Sequence, residues 1–408
     1  MKIDIKKSGV LNAPTILNYI FIALVLTSDY LFAGLGIPGV YSFLEFIMFG
    51  MVFYAFFSKK NYLKVMLLTP ILFWTIWVVY NYINWKQIGI VNAEFPHQFV
   101  LSSFVYPILT MSIVYYEGCK NLKRTTTVVL AALAVYVIGG LLFQGDNDTT
   151  RGVWDDTERG GGVLGNALPL NACILTFFSI FAYFKGWVNK KWLCLLLVFS
   201  LASIFFVATR KALAGWLFIV FMPFLSNFDF RKPSSLYKLV LLIGVIYMAY
   251  QYVIEETYLG ERLMQTAEQG EESNESDVEA LNFLGDRALQ YIMAWDFFGE
   301  NPITGIGLYN FQVVADFPMA LHSEYMVQLC ECGIIGSVLY LLFMGGLIIK
   351  TVRLKRSNAR LFYVCLGGLL CMLFLNFTAW TYQGNHYFAM YGLILATCYH
   401  ETKYDKPT

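Results

Sequence analysis

Charge is what this sequence has least of. Only 14% of its 408 residues are Asp, Glu, Lys or Arg, where a soluble domain carries about 25%. A chain this poor in polar side chains has nothing with which to coat a water-facing surface, which excludes a soluble globular enzyme and a disordered chain. Neither sign is in excess: 29 basic residues meet 28 acidic ones, which leaves no basic field for nucleic acid. Histidine is scarce, at positions 97, 322, 386 and 400 alone. The cysteines Cys119, Cys173, Cys194, Cys330, Cys332, Cys365, Cys371 and Cys398 each lie inside an apolar run or at its edge. A disulfide framework needs pairs in water-exposed segments, so none is expected. Cys330 and Cys332 are two apart and would point to different sides of a helix; core thiols suit that spacing better than a metal site. No small-residue cleavage site follows the first apolar run, so the chain's start reads as a retained span and not a removed signal peptide.

What the sequence has in plenty is apolar surface. Apolar residues make up 58% of it, the mean hydropathy is +0.57, and the expectation is an all-α polytopic membrane protein. A crossing takes about 20 mostly apolar residues. Runs of that kind fall near 15–35, 40–58, 63–83, 99–117, 125–143, 167–185, 191–209, 212–228, 236–254, 323–349, 360–380 and 386–400, giving about twelve transmembrane helices. The aromatics, 17% of the chain, suit interfacial belts and helix packing.

Lys and Arg collect before the first run and in every second connection after it: 59–64, 120–124, 185–191, 231–238 and 350–360. Basic short connections stay cytoplasmic, so both termini are expected in the cytoplasm. The remaining connections then face outward. Residues 255–321 hold thirteen acids against Arg262 and Arg287, and the 144–166 loop is acidic too, with Arg151 and Arg159. The chain divides accordingly into spans 1–9 over 1–254, an external loop over 255–321, spans 10–12 over 322–400 and a cytoplasmic tail over 401–408. EQGEESNESDVEA at 268–280 has the composition of a mobile part of that loop.

Against this topology a few outward cations are out of place. Arg210 and Lys211 stand in FFVATRKALAGW at the turn between spans 7 and 8. A long cation there either snorkels to the headgroups or forms an anion site, since a guanidinium grips phosphate with a planar fork of donors and stays charged. Arg287 lies in the first turn of a segment whose apolar residues 288, 289, 292, 293 and 297 predict an amphipathic helix over 286–298. It serves either an ion pair with Asp286 or Asp296, or a ligand. Three of the histidines, 97, 322 and 386, fall on the outer side. His322 opens span 10 with Glu324 and Glu331 behind it, as a headgroup-level residue or as a base that takes a proton near neutral pH. Glycines after Arg159 permit close backbone approach, whereas Gly305-Ile306-Gly307 is too short to be read as a phosphate loop.

Several arginines and a histidine at the outer bilayer edge suit a lipid-linked diphosphate, whose anion sits at that depth. Arginines would stabilise the charge that grows as the diphosphate leaves. Four stretches carry a resemblance: ERGGGVLGNALPLNA (158–172), ATRKALAG (208–215), GDRALQYIMAWDFFGENPITGIGLYNF (285–311) and HSEYMVQLCECGIIG (322–336). In their order, and with the long loop before span 10, the sequence resembles the O-antigen ligase and O-antigen polymerase superfamily of bacterial envelope glycosyltransferases.

That resemblance implies a GT-C type fold in the bacterial inner membrane with a periplasmic active site and no cofactor or metal. It implies that Arg210 and Arg287 contact the undecaprenyl diphosphate of the glycan donor. His322 would activate the acceptor hydroxyl, on a lipid A-core sugar or a lipid-linked glycan, for inverting transfer. Arg159 would be a supporting contact, with Arg151 and Lys211 secondary. The GDR-x-x-x-x-x-x-AW match and the single long loop favour a ligase over a polymerase. A transporter of the same lipid-linked sugars should bury charges midway along its spans or show inverted repeats; neither is visible.

Overall fold

The computed structural model describes residues 12–57, 65, 68, 70–88, 104–143, 165, 167–207, 209–226, 277–316, 321–379 and 381–404. Among them the chain is helical and has no strand. In order, α1 is Ala13–Asp29, continued by a π-turn over Tyr30–Gly34; α2 is Val40–Phe57, α3 Ile71–Ile88, α4 Tyr106–Lys120 and α5 Leu122–Leu142. Next come α6 Ala167–Phe184, α7 Lys190–Phe206, α8 Arg210–Leu225 and α9 Asp277–Glu300. The short α10 (Phe311–Val314) and α11 (Glu324–Cys330) precede α12 Gly333–Ser357, α13 Ala359–Leu375 and α14 Asn385–Tyr404.

These helices lie over all the expected spans but the ninth, 236–254, which is outside the described residues. Four stretches, Ala13–Phe32, Leu122–Leu142, Ala167–Phe184 and Gly333–Ser357, are each long and apolar enough to cross a bilayer by themselves. The molecule is a multi-pass membrane protein. Two expectations need correction. The expected span 323–349 is two helices: α11 stops at Cys330 and the long helix begins at Gly333. And α9 starts at Asp277, inside the acidic stretch expected to be mobile.

With little hydrophobic drive between helices in lipid, close backbone approach decides which helices pair. A Cβ on Gly392 of α14 would stand 2.6 Å from the Met111 carbonyl oxygen of α4, and one on Gly118 would stand 2.7 Å from the Ala396 methyl. These two contacts seat α14 along α4 in the same direction. A Cβ on Gly367 of α13 would stand 3.0 Å from the Phe218 carbonyl oxygen of α8. In the centre, Trp74 stacks on Trp77 at 4.3 Å and reaches Phe343 at 5.0 Å and Phe388 at 4.8 Å, which ties α3, α12 and α14 together.

Candidate functional site

One end of the bundle is organised by chain that is not helical. Bare backbone at membrane depth is tolerated only where protein or a water-filled cavity meets its polar groups. The connection between α13 and α14 is non-helical and its polar groups are met by protein. Asn376, Ala379 and Thr381 are buried in it, and bonds from three distant segments end on it.

From α11, the Glu324 N–H donates to the Asn376 carbonyl at 2.8 Å and Ser323 Oγ donates to the same oxygen at 3.2 Å. Glu324 returns the bond: its Oε2 accepts the N–H groups of Thr381 (2.6 Å) and Tyr382 (3.2 Å). Its Oε1 takes Gln328 Nε2 at 2.8 Å, and Gln328 Oε1 accepts the Trp77 indole N–H at 2.8 Å. A carboxyl that would be costly to bury alone is thereby bonded on both oxygens. From α8, Lys211 Nζ donates to the Thr378 carbonyl at 3.2 Å. From α9, the Tyr291 hydroxyl donates to the Phe377 carbonyl at 3.2 Å.

A second carboxyl fixes the chain before α11. Glu331 accepts the Tyr309 N–H at 2.7 Å and the Phe311 N–H at 3.1 Å, holding the start of α10. The Gly305–Gly307 turn lies flat on this region, with Ile306 and Gly307 N–H groups bonded to the carbonyls of Cys330 and Glu331 at 3.0 and 2.9 Å. Gly305 and Gly333 have φ of +69° and +65°, and a Cβ on either would stand within 2.5 Å of the other strand's backbone. Only glycine fits such a crossing. The turn is thus a clasp that breaks the expected tenth span.

The candidate residues can now be placed. Arg210 is the exposed first residue of α8, next to the anchored Lys211. His322 is half-buried and directly precedes Ser323 and Glu324; it opens the short α11, not a span. Arg287 lies on α9, one turn before the anchored Tyr291. The structure therefore brings the immediate neighbours of Arg210 and His322, and Tyr291 one turn after Arg287, onto one connection. Arg151 and Arg159, with most of the 158–172 motif, lie outside the described residues.

Sequence reasoning missed the rest of this end. Glu324 read as a charge behind His322, not as the acceptor that pins the connection. His386, at the start of α14, places Nε2 where no described residue bonds it, with its ring 4.1 Å from Tyr387. Gln290, buried one residue before Tyr291, has no hydrogen-bond partner among the described residues for either side-chain polar atom. The amphipathic pattern of α9 is the only signal that pointed here. Cys330 and Cys332 are buried, and among the described residues no three His, Cys, Asp or Glu side chains cluster as metal ligands would.

Residues 195–341 match the family model described as O-antigen ligase. The matched stretch runs from α7 to α12 and includes Arg210, Arg287 and His322. No curated protein matches the chain.

Proposed function

On the premise that this chain, through residues 195–341, belongs to the O-antigen ligase superfamily, we propose that it moves a glycan from undecaprenyl diphosphate to a sugar hydroxyl of lipid A-core. In this reading the protein is a GT-C type enzyme of about twelve spans in the inner membrane, with both termini cytoplasmic and its site on the periplasmic side. The observation that carries it is the convergence of Lys211, Tyr291 and Ser323–Glu324 on the 376–382 connection. Lys211 and Ser323 directly adjoin Arg210 and His322, and Tyr291 lies one turn after Arg287 on α9, so the chain that carries the three candidates is tied to one connection.

The chemistry follows from what each group can do. Arg210 stands at the start of α8, where Thr209 makes no side-chain cap bond; a helix start already favours an anion. Arg210 and Arg287 hold the diphosphate and offset the charge that appears when the bond between the sugar C1 and the diphosphate oxygen breaks. His322 takes the proton of the acceptor hydroxyl as that oxygen bonds C1 from the opposite face. The product is inverted at C1, and undecaprenyl diphosphate leaves. The arginines supply the positive charge, and no step calls for a metal. Arg151, Arg159 and Lys211 complete the donor site.

A polymerase that adds the glycan to the next lipid-linked repeat uses the same residues. The lipopolysaccharide banding of a strain lacking the gene separates the two. Core without glycan, together with polymerised glycan on the lipid carrier, is the expected pattern. Core bearing a single repeat would make the protein the polymerase, and unchanged banding would overturn both acceptors.

A further inference from the structure

The end of the bundle opposite the candidate site holds a cavity of about 420 Å³ between α3, α4, α12 and α14. Lys350 lies seventeen residues into α12, so it is about 25 Å along the helix from the glycine clasp. Lys350 and Arg353 both line the cavity, and their spacing of three puts them on one face of α12. Leu68, Ile71, Leu395 and Cys398 give the cavity apolar lining, with Tyr115, Tyr399 and Thr402 beside them.

Basic residues at this end suit a cytoplasmic connection, but among the described residues no acid neutralises these two. Neither forms an ion pair among the described residues, where the pairs are Lys120–Glu117 and Lys185–Glu401. Glu401, the acid near this end of α14, is held by Lys185 Nζ at 2.6 Å and Asn358 Nδ2 at 3.3 Å. The backbone beside Lys350 is occupied, its carbonyl accepting the Cys398 thiol at 3.4 Å, so the side chain alone serves the cavity. A pair of cations beside an apolar lining, between membrane helices, is complementary to a phosphate carrying hydrocarbon. A soluble anion would use the cations and leave the lining without purpose.

We propose that this cavity binds an anionic membrane lipid, with Lys350 and Arg353 on the headgroup phosphate and an acyl chain along Leu68, Ile71 and Leu395. The site is separate from the proposed transfer chemistry and does not depend on it.

The full chain, purified in detergent and stripped of lipid, is titrated with dioleoyl phosphatidylglycerol, with phosphatidylcholine of the same chains and with inorganic phosphate. Native mass spectrometry reads bound lipid. Phosphatidylglycerol should bind about tenfold more tightly than phosphatidylcholine, and the Lys350→Gln/Arg353→Gln protein should lose that preference. The charge-keeping Lys350→Arg/Arg353→Lys protein should retain it, which separates lost charge from lost fold. Leu68→Trp, which fills the apolar side, should weaken phosphatidylglycerol with both cations intact. Equal binding of the two lipids, or an unchanged preference in the Gln variant, would overturn the site. Displacement of phosphatidylglycerol by millimolar phosphate, with no effect of Leu68→Trp, would make it a soluble-anion site and overturn the lipid.

Discussion

The two ends of the bundle satisfy their polar groups by opposite means. At the end holding Lys120 and Lys185, four helices open on an asparagine whose side-chain oxygen accepts the N–H three residues on. The pairs are Asn12–Thr15, Asn121–Arg124 and Asn189–Trp192 at 3.0 Å and Asn358–Leu361 at 3.2 Å. Both ion pairs among the described residues sit there as well. At the other end Thr209, Ser323 and Cys332 open helices without any side-chain cap. Order there comes from bonds between residues far apart in sequence, such as Glu324 to Thr381 and Glu331 to Tyr309. A helix end that only has to meet a loop is closed by its own neighbour. One that meets segments distant in sequence is held by them instead, without a cap of its own. Substitutions at the two ends should therefore differ in kind.

The widest separation is expected between the two histidines of the long-range end. His322→Ala should lower glycan transfer about 10²- to 10⁴-fold while donor binding persists, measured with a lipid-linked glycan and purified acceptor. His386→Ala should leave measurable transfer, because its ring lies against Tyr387 at the start of α14. If His386→Ala abolished turnover and His322→Ala did not, the base would belong to α14. Next in size is Arg210→Lys, expected to cost about tenfold to 100-fold in transfer, since an ammonium keeps the charge but not the two-pronged grip. Near-normal transfer would end the clamp role of Arg210.

Much of this arrangement was legible before any coordinates. The tight turn at Arg210 follows from two apolar runs separated by Arg210 and Lys211 alone, and the amphipathic helix around Arg287 from a period near 3.6. The break in the tenth span was not legible. Hydropathy runs on through Cys330, Glu331 and Cys332, and the chain leaves the helix only because Gly333 crosses Gly305 at a distance no side chain permits. That contact joins segments 28 residues apart, and no local pattern encodes it. The connection after α13 was expected only from 381, and its start at Asn376 was hidden because Phe377, Ala379 and Trp380 read as a continuing apolar run. Local signals carried the elements; long-range hydrogen bonds carried the site.

Those bonds allow a sharper test of the long-range end. Glu324 accepts three donors and Gln328 hands one further acceptor to Trp77. In Glu324→Gln an amide nitrogen must face either the Thr381 and Tyr382 N–H groups or the Gln328 amide. Turning Gln328 over merely moves the clash to the Trp77 indole. The expected cost is about 1–3 kcal/mol, read as a lower midpoint of thermal unfolding, with a parallel loss of transfer as His322 loses its frame. The swap Glu324→Gln/Gln328→Glu restores every donor to an acceptor and should recover both. A swap as damaging as the single change would mean that the carboxyl at 324 does more than accept hydrogen bonds.

The smallest effect belongs to the other end, and its smallness is the point. Lys185 and Glu401 meet at 2.6 Å with side chains 21% and 19% exposed, so water shares the charge with the pair. Partly screened pairs of this kind contribute less than about 1 kcal/mol. Glu401→Gln keeps one side-chain oxygen, which can still accept from Asn358 Nδ2 while Lys185 turns to water. It should shift the unfolding midpoint slightly and leave transfer within twofold. The residual bond to Asn358 matters more than the charge, because Asn358 also caps α13 through Leu361. Glu401→Ala should therefore cost more than Glu401→Gln, again without touching transfer. A loss of transfer in either variant, at unchanged stability, would show that the two ends are coupled and that the division drawn between them is false.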